Sequence, residues 1–191
     1  TSNPNYKPGA KKPRPAPRAS LKKGAKDGEF QVLRGAAVDA AVLGYAVRSS
    51  NPSAEGLALK KLARPVKGKA TLKLSLQSLQ PGTARTIHKN GFVVFGDDAD
   101  RLVHCGCYLG GRRYFSVSDG ANRTEVPLPG DPTRRFDLTV TVDPAARTVT
   151  MAVEGQTVIL CLGRALGAIT HVGYANTNTV TAFGPVAVAQ Q

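Results

Sequence analysis

The chain has 191 residues, of which 41% are hydrophobic and 20% charged, and its formal net charge is +13 at pH 7. That length suits one well-buried domain and is short for two, and the composition is ordinary for a folded globular protein. No apolar run approaches the roughly 20 residues of a membrane-spanning helix, which excludes a chain embedded in a bilayer by helices.

The charge is unevenly spread. Lys7, Lys11, Lys12, Arg14, Arg18, Lys22, Lys23 and Lys26, against Asp27 alone, put about half of the excess into the first 27 residues. Residues 1–28 are rich in proline, glycine and lysine, with Tyr6 and Leu21 as their large apolar residues. Such a segment cannot bury enough surface to fold alone. It reads as a basic linker or arm, extended where the prolines are dense, with the folded domain at residues 29–191. The chain opens on Thr1 and carries no apolar segment of signal-peptide type, the expectation for a fragment or a processed chain.

Residues 29–34 read as a short strand, and the alanine-rich run 35–43 as either a helical turn or a loop. Residues 44–48 and 57–62 are strands separated by the turn formers Ser49, Ser50, Asn51, Pro52 and Ser53. In residues 70–79, Leu72, Leu74 and Leu76 alternate with Lys73, Ser75 and Gln77, the period of a strand with one buried face. Pro81-Gly82 breaks the chain before the apolar run Phe92-Val93-Val94-Phe95. Residues 96–100 form a turn, and residues 102–109 a strand carrying Cys105 and Cys107. Gly110-Gly111 makes a tight hairpin into residues 113–117, and residues 124–128 add a further strand.

The most regular stretch is residues 135–162. Phe136, Leu138, Val140 and Val142 alternate with Asp137, Thr139, Thr141 and Asp143. A turn at Asp143-Pro144-Ala145-Ala146 reverses the chain, and Val149, Met151 and Val153 resume the pattern. Glu154-Gly155 is a second turn. Residues 157–162 are apolar on both faces, which places that strand deeper in a sheet. Residues 169–175, 179–183 and 186–189 complete about a dozen strands with short connections, the pattern of an all-β sandwich of two antiparallel sheets.

Three clusters of chemistry stand out. Asp97, Asp98 and Asp100 offer hard carboxylate oxygens that could gather around Ca²⁺, but a solvated turn in which aspartates cap backbone groups is the favoured reading. Cys105, Cys107 and Cys161 fit buried free thiols; Cys105 and Cys107 sit two apart on one strand, a poor geometry for joining to each other, though either could meet Cys161 across a sheet. His88, His104 and His171 are scattered with no orienting partner implied, and Glu29, Glu55, Glu125 and Glu154 are isolated in sequence.

The segments NGFVVFGD from Asn90, LVHCGCYLGGRRYFSV from Leu102, FDLTVTVDPAARTVTMAVEGQTV from Phe136 and ITHVGYANTNTVTAFGPVAV from Ile169 resemble the concanavalin A-like, laminin-G-like jelly rolls appended to bacterial enzymes. The likeness covers residues 30–189. TSNPNYKPGAKKP at the start resembles the segment that ends the catalytic region of secreted bacterial arylsulfatases. The resemblance implies an antiparallel two-sheet jelly roll acting as a non-catalytic accessory module of a secreted, periplasmic or cell-surface sulfatase. Such a module binds carbohydrate, with sulfated polysaccharide among the candidates, or packs against the catalytic domain of its parent chain.

No C/S-x-P-x-R motif of a sulfatase nucleophile occurs; Cys105-Gly106-Cys107 and Cys161-Leu162-Gly163-Arg164 do not fit it. Glycosidases of this shape use two or three carboxylates on one strand, and the isolated glutamates do not supply them. A glycan site in such a module stacks sugars on exposed aromatics and holds hydroxyls with Asn and Arg, which nominates Tyr108, Arg112, Arg113, Tyr114, Tyr174, Asn176 and Asn178. Lys60, Lys61, Arg64, Lys67 and Lys69 add a basic surface suited to sulfated sugars. A different class of reading is a coat-like jelly roll whose basic arm neutralises nucleic acid. The arm's prolines suit an interdomain linker better.

Overall fold

The computed structural model describes residues 30–33, 36–41, 43–49, 55–79 and 89–191. The basic linker at residues 1–28, Glu29, the break at Pro81-Gly82 and His88 lie outside the described residues.

The strands form two antiparallel sheets packed face to face. One has seven strands in the order β1 (Gln31–Leu33), β4 (Gly56–Val66), β13 (Ile169–Asn176), β6 (Asn90–Gly96), β7 (Val103–Tyr108), β8 (Tyr114–Ser118) and β9 (Arg123–Pro127). The other has eight: β12 (Gln156–Cys161), β11 (Thr148–Val153), β10 (Phe136–Asp143), β5 (Ala70–Ser78), β14 (Val180–Phe183), β3 (Gly44–Ser49) and β2 (Ala36–Ala41), with β15 (Ala187–Gln190) also paired to β5.

Alternating apolar residues dictate these layers. Phe136 faces Leu76, Leu138 faces Leu74 and Val140 faces Leu72 across β10 and β5, and all six side chains are buried. The two short turns of the meander are local chemistry. Asp143 Oδ1 accepts from the Ala146 N–H at 3.0 Å. Glu154 (φ 53°) and Gly155 (φ 72°) are both left-handed, the two-residue hairpin turn whose twist matches that of its strands. Between the sheets, Phe115 of one meets Phe136 of the other edge-on at 5.2 Å, and Tyr174 stacks on Phe183 at 4.6 Å. Aromatic pairs of this kind contribute about 0.5–1.5 kcal/mol beyond the area they bury.

Two expectations about elements need correcting. The alanine-rich run is strand β2, because β3 offers it a free edge, with Ala37 opposite Arg48 and Val38 opposite Val47. Strand β12 is not deep in its sheet but at the edge. It keeps a period of two, with Val158 and Leu160 buried, while Ile159 on the other face is 53% exposed.

The seven-stranded sheet also carries a second, smaller apolar cluster: Leu57, Leu59, Phe92, Val94 and Ala175 pack with Leu102. These residues alternate with core residues such as Ala58, Val93 and Tyr174, so they lie on the sheet's outer face. The segment between β6 and β7 folds back over them through Ala99 and Leu102, which is why every residue of β6 is buried.

Candidate functional site: a groove on the outer face of the seven-stranded sheet

Strand register brings the site together. Phe92, Gly106, Ser116 and Glu125 stand in one row across β6, β7, β8 and β9, and Val94, His104, Ser118 and Arg123 in the next. Their neighbours Cys105, Phe115 and Val117 point into the core, so these rows face outward. Gly106 lets β6 and β7 run close: a Cβ there would lie 2.1 Å from the Gly91 carbonyl oxygen. Over these rows opens a cavity of about 460 Å³, walled by Phe92, His104, Tyr108, Ser116 and Arg123 on the sheet and by Asp100 and Arg101 of the covering segment.

Tyr108 is the centre of the wall. Its ring stacks on Tyr114 at 4.6 Å and meets Phe92 edge-on at 5.2 Å. The Arg123 guanidinium lies over it, 5.1 Å from the centroid, and donates to its hydroxyl. Burial pushes both the Tyr108 and the Tyr114 phenol up from the usual tyrosine range. Beside them His104 Nε2 lies 2.9 and 3.1 Å from the two carboxylate oxygens of Glu55, and His104 Nδ1 lies 3.3 Å from the Leu102 carbonyl. Both ring nitrogens thus lie against oxygen atoms, which fixes the plane of the ring in the wall.

The remaining wall is held by two aspartates. Arg164 Nη1 and Nη2 each donate to Asp97 Oδ1 at 3.2 Å, the Gly167 N–H donates to Asp97 Oδ2 at 2.8 Å, and Arg164 Nη2 also reaches the Arg101 carbonyl at 2.7 Å. Burial works to raise the Asp97 pKa, but the bonds from Gly167 and Arg164 outweigh it and hold the carboxyl below its ordinary value. Asp119 accepts from the backbone N–H groups of Ala121, Asn122 and Gly163, and is likewise held low against the opposing effect of burial. Asp97 and Asp119 thus pin both ends of the segment from Gly163 to Gly167 against the groove.

Asp97 and Asp98, in the turn after β6, are held by protein donors. Asp97 is occupied by Arg164, Asp98 accepts from the Asp100 N–H at 2.9 Å and from Arg101 at 3.2 Å, and Asp100 lines the groove instead. Among the described residues no three His, Cys, Asp or Glu side chains gather as a metal-ligand set.

The expected glycan residues divide. Tyr108, Arg112 and Tyr114 come together around a second cavity of about 390 Å³ that adjoins the first. Arg113 lines neither cavity, and its charge contributes to holding the Asp131 carboxyl low. Tyr174 is 1% exposed and points into the core, where its hydroxyl donates to the Gly184 carbonyl at 2.8 Å. Asn176 is fully buried, donating to the Val47 carbonyl at 2.6 Å. Both are buried because β13 is an inner strand and these two residues lie on its inward face, away from the groove. Asn178 (φ 50°) forms the turn between β13 and β14, apart from the groove lining. The exposed Lys61, Arg64, Lys67 and Lys69 and the half-buried Lys60 lie on β4 and the turn after it, also outside the groove lining.

Sequence reasoning did not find the pairing of Glu55 with His104, or Arg123 and Ser116. Alternation along β7 and β8 marks His104, Tyr108, Tyr114 and Ser116 as sharing a face, and that is the one signal that pointed to them. Cys105 and Cys107 are buried, Cys161 is exposed on β12, and all three are free. Burial pushes the Cys107 thiol up to about 12, and Cys105 higher still.

The fold is an all-β jelly-roll sandwich of two antiparallel sheets. No protein-family model matches the sequence, and no curated protein matches it either. Solved structures do match the fold. The carbohydrate-binding module CBM66 from Bacillus subtilis superposes with a TM-score of 0.60 at 12% identity, covering 85% of this chain and 96% of that one. Lectin I-B4 from Griffonia simplicifolia gives 0.61 at 9% identity, covering 86% and 94%. A sialidase gives 0.62 at 11% identity over 85% of this chain, which spans only 17% of the sialidase's length. At these identities the likeness establishes the fold.

Proposed function

We propose that the sandwich is a non-catalytic carbohydrate-binding module whose ligand lies in the groove on the outer face of the seven-stranded sheet. The observation that carries this reading is the cavity of about 460 Å³ in which the Tyr108 ring is bordered by Arg123, Ser116 and the His104–Glu55 pair. An apolar sugar face packs on Tyr108, which Phe92 backs from beneath, and hydroxyls reach Asp100, Arg123 and Glu55. The carbohydrate-binding module and the lectin among the structural matches support a binding role. So does the state of the nearby carboxylates. Of the three carboxylates along the groove, Glu55 is engaged by His104 and Asp119 by three backbone N–H groups, which leaves Asp100 alone where glycoside hydrolysis needs one carboxyl to protonate and a second to attack.

The finer reading, attachment to a secreted sulfatase with sulfated polysaccharide as the ligand, is supported by the resemblance of the first residues to a sulfatase linker and by the excess of basic residues. Calorimetric titration against a panel of neutral and acidic polysaccharides tests the binding role. Tyr108→Ala and Arg123→Ala should each abolish or strongly weaken whatever binding the panel reveals. A panel with no binder, or binding that survives Tyr108→Ala unchanged, would sink the proposal.

A further inference from the structure

The groove does not end at Tyr108. Tyr108 and Arg123 line both cavities, so the pair forms a ridge with a recess on either side. The far recess is bounded by the backbone of Gly110 and Gly111, by the Tyr114 ring, and by Arg112. Its electrostatics differ from those of the first cavity. There each arginine has a carboxylate partner: Arg101 has Asp98, Arg164 has Asp97, and Arg123 has Glu125. In the far recess the one acid, Glu125, is engaged by Arg123 at 3.4 Å. Arg112 is exposed, forms no hydrogen bond or ion pair among the described residues, and acts on the Tyr114 phenol beside it. The recess therefore holds two guanidinium groups against one carboxylate, next to a stacked aromatic pair.

We infer that this recess is an anion-accepting subsite continuous with the first, so that the groove binds a stretch of acidic polysaccharide longer than one sugar, with a sulfate or carboxylate group held by Arg112 and Arg123. A guanidinium presents its donors in a planar fork that matches both oxyanions, and an uncommitted one loses no internal bond when it binds. Ring stacking on Tyr108 and Tyr114 carries the chain across the ridge. This inference rests on the glycan-binding reading of the groove.

The test uses the whole chain and calorimetry with mono-, di-, tetra- and hexasaccharides in matched pairs: κ-carrageenan oligosaccharides with their desulfated counterparts, and guluronate oligosaccharides with their carboxyl-reduced counterparts. Affinity should rise beyond the monosaccharide, and the acidic member of a pair should bind roughly tenfold tighter than the neutral one, the ratio expected of one charged hydrogen-bonded contact. Arg112→Ala, on an exposed hairpin, should lower the acidic ligand's affinity to that of its neutral partner and leave the neutral ligand's affinity alone. Equal affinity for monosaccharide and tetrasaccharide overturns the subsite, as does an Arg112→Ala effect equal for both members of a pair. Binding confined to neutral sugars overturns the acidic subsite and leaves the glycan-binding role standing. Binding to none of these ligands overturns both.

Discussion

Removing the Asp97 carboxylate should both destabilise the sandwich and loosen the groove. In Asp97→Ala the Gly167 N–H loses its acceptor and the Arg164 guanidinium keeps only the backbone carbonyls of Arg101 and Ala165, so the turn after β6 loses its carboxylate tie to the segment from Gly163 to Gly167. The Asp97 and Arg164 side chains are 21% and 29% exposed, so water reaches the pair only in part. Hydrogen bonds to charged groups contribute about 1.5–3 kcal/mol, and breaking a fully buried ion pair costs about 3–5. Partial access to water puts the expected loss at about 2 kcal/mol, or about 4–8 °C in Tm for a chain of this size. Asp97→Asn keeps the shape and an acceptor and should cost about half as much. Urea unfolding followed by far-ultraviolet circular dichroism measures both variants, and titration of any glycan that binds the wild type should show weaker binding to Asp97→Ala. A calcium cage at Asp97, Asp98 and Asp100 makes the opposite prediction. EDTA would then lower the wild-type midpoint and added Ca²⁺ restore it, whereas the Arg164 contact leaves the midpoint unchanged by either. An Asp97→Ala variant with the wild-type midpoint, or a wild-type midpoint that falls in EDTA, would refute the reasoning.

Four further outcomes follow from the same contacts. Asp97 and Asp119 have folded-state pKa values below the unfolded value of about 3.9, so their stabilisation is complete above that value and is lost as pH falls through the folded values. Unfolding midpoints should therefore be steady at neutral pH and decline below about pH 4, less steeply in Asp97→Ala, and a decline beginning near neutrality would point to other groups. Tyr174→Phe leaves the buried Gly184 carbonyl without its donor and should cost about 1–2 kcal/mol by urea unfolding while glycan binding is kept. Lost binding at full stability would return Tyr174 to the site. Gly106→Ala forces a Cβ against the Gly91 backbone and should cost about 3 kcal/mol, and an unchanged midpoint would show that β6 and β7 are not so close. A thiol reagent should label Cys161 at once and Cys105 and Cys107 only on unfolding, with fast labelling of either buried thiol the contrary result.

What the sequence reveals of this fold tracks how local its causes are. The meander from β10 to β12 could be read because each turn is set by adjacent residues, Asp143-Pro144 and Glu154-Gly155, and each strand alternates over its own length. Strand β2 could not, since a run of alanines carries no period and becomes a strand only by pairing with β3. The edge position of β12 was hidden for a related reason. Ile159 is apolar yet faces outward, so composition suggested burial on two sides where the sheet provides it on one. Strand order within a sheet is decided by contacts far apart in the chain, which no window of neighbouring residues contains.

The site follows the same rule with one complication. Tyr108, Arg112 and Tyr114 are joined by a single hairpin, and sequence brings them together; Glu55 and His104 lie 49 residues apart, and only the fold does so. Tyr174 and Asn176 misled because alternation shows that two residues share a face without showing which face it is. On most strands hydrophobicity settles that question. Around the groove it does not, because Leu57, Leu59, Phe92, Val94 and Ala175 face outward and are as apolar as the core residues between them. The segment from Ala99 to Leu102 requires this, since its own Leu102 needs an apolar bed on the outer face. The loop that erases the inside-outside signal of β6 is therefore also the loop whose Asp100 and Arg101 complete the groove. A strand that is apolar on both faces and does not lie at a sheet edge, as β6 is and β12 is not, marks where another part of the chain has folded over the sheet. In this protein the cover stops short of Tyr108, and the uncovered remainder is the groove.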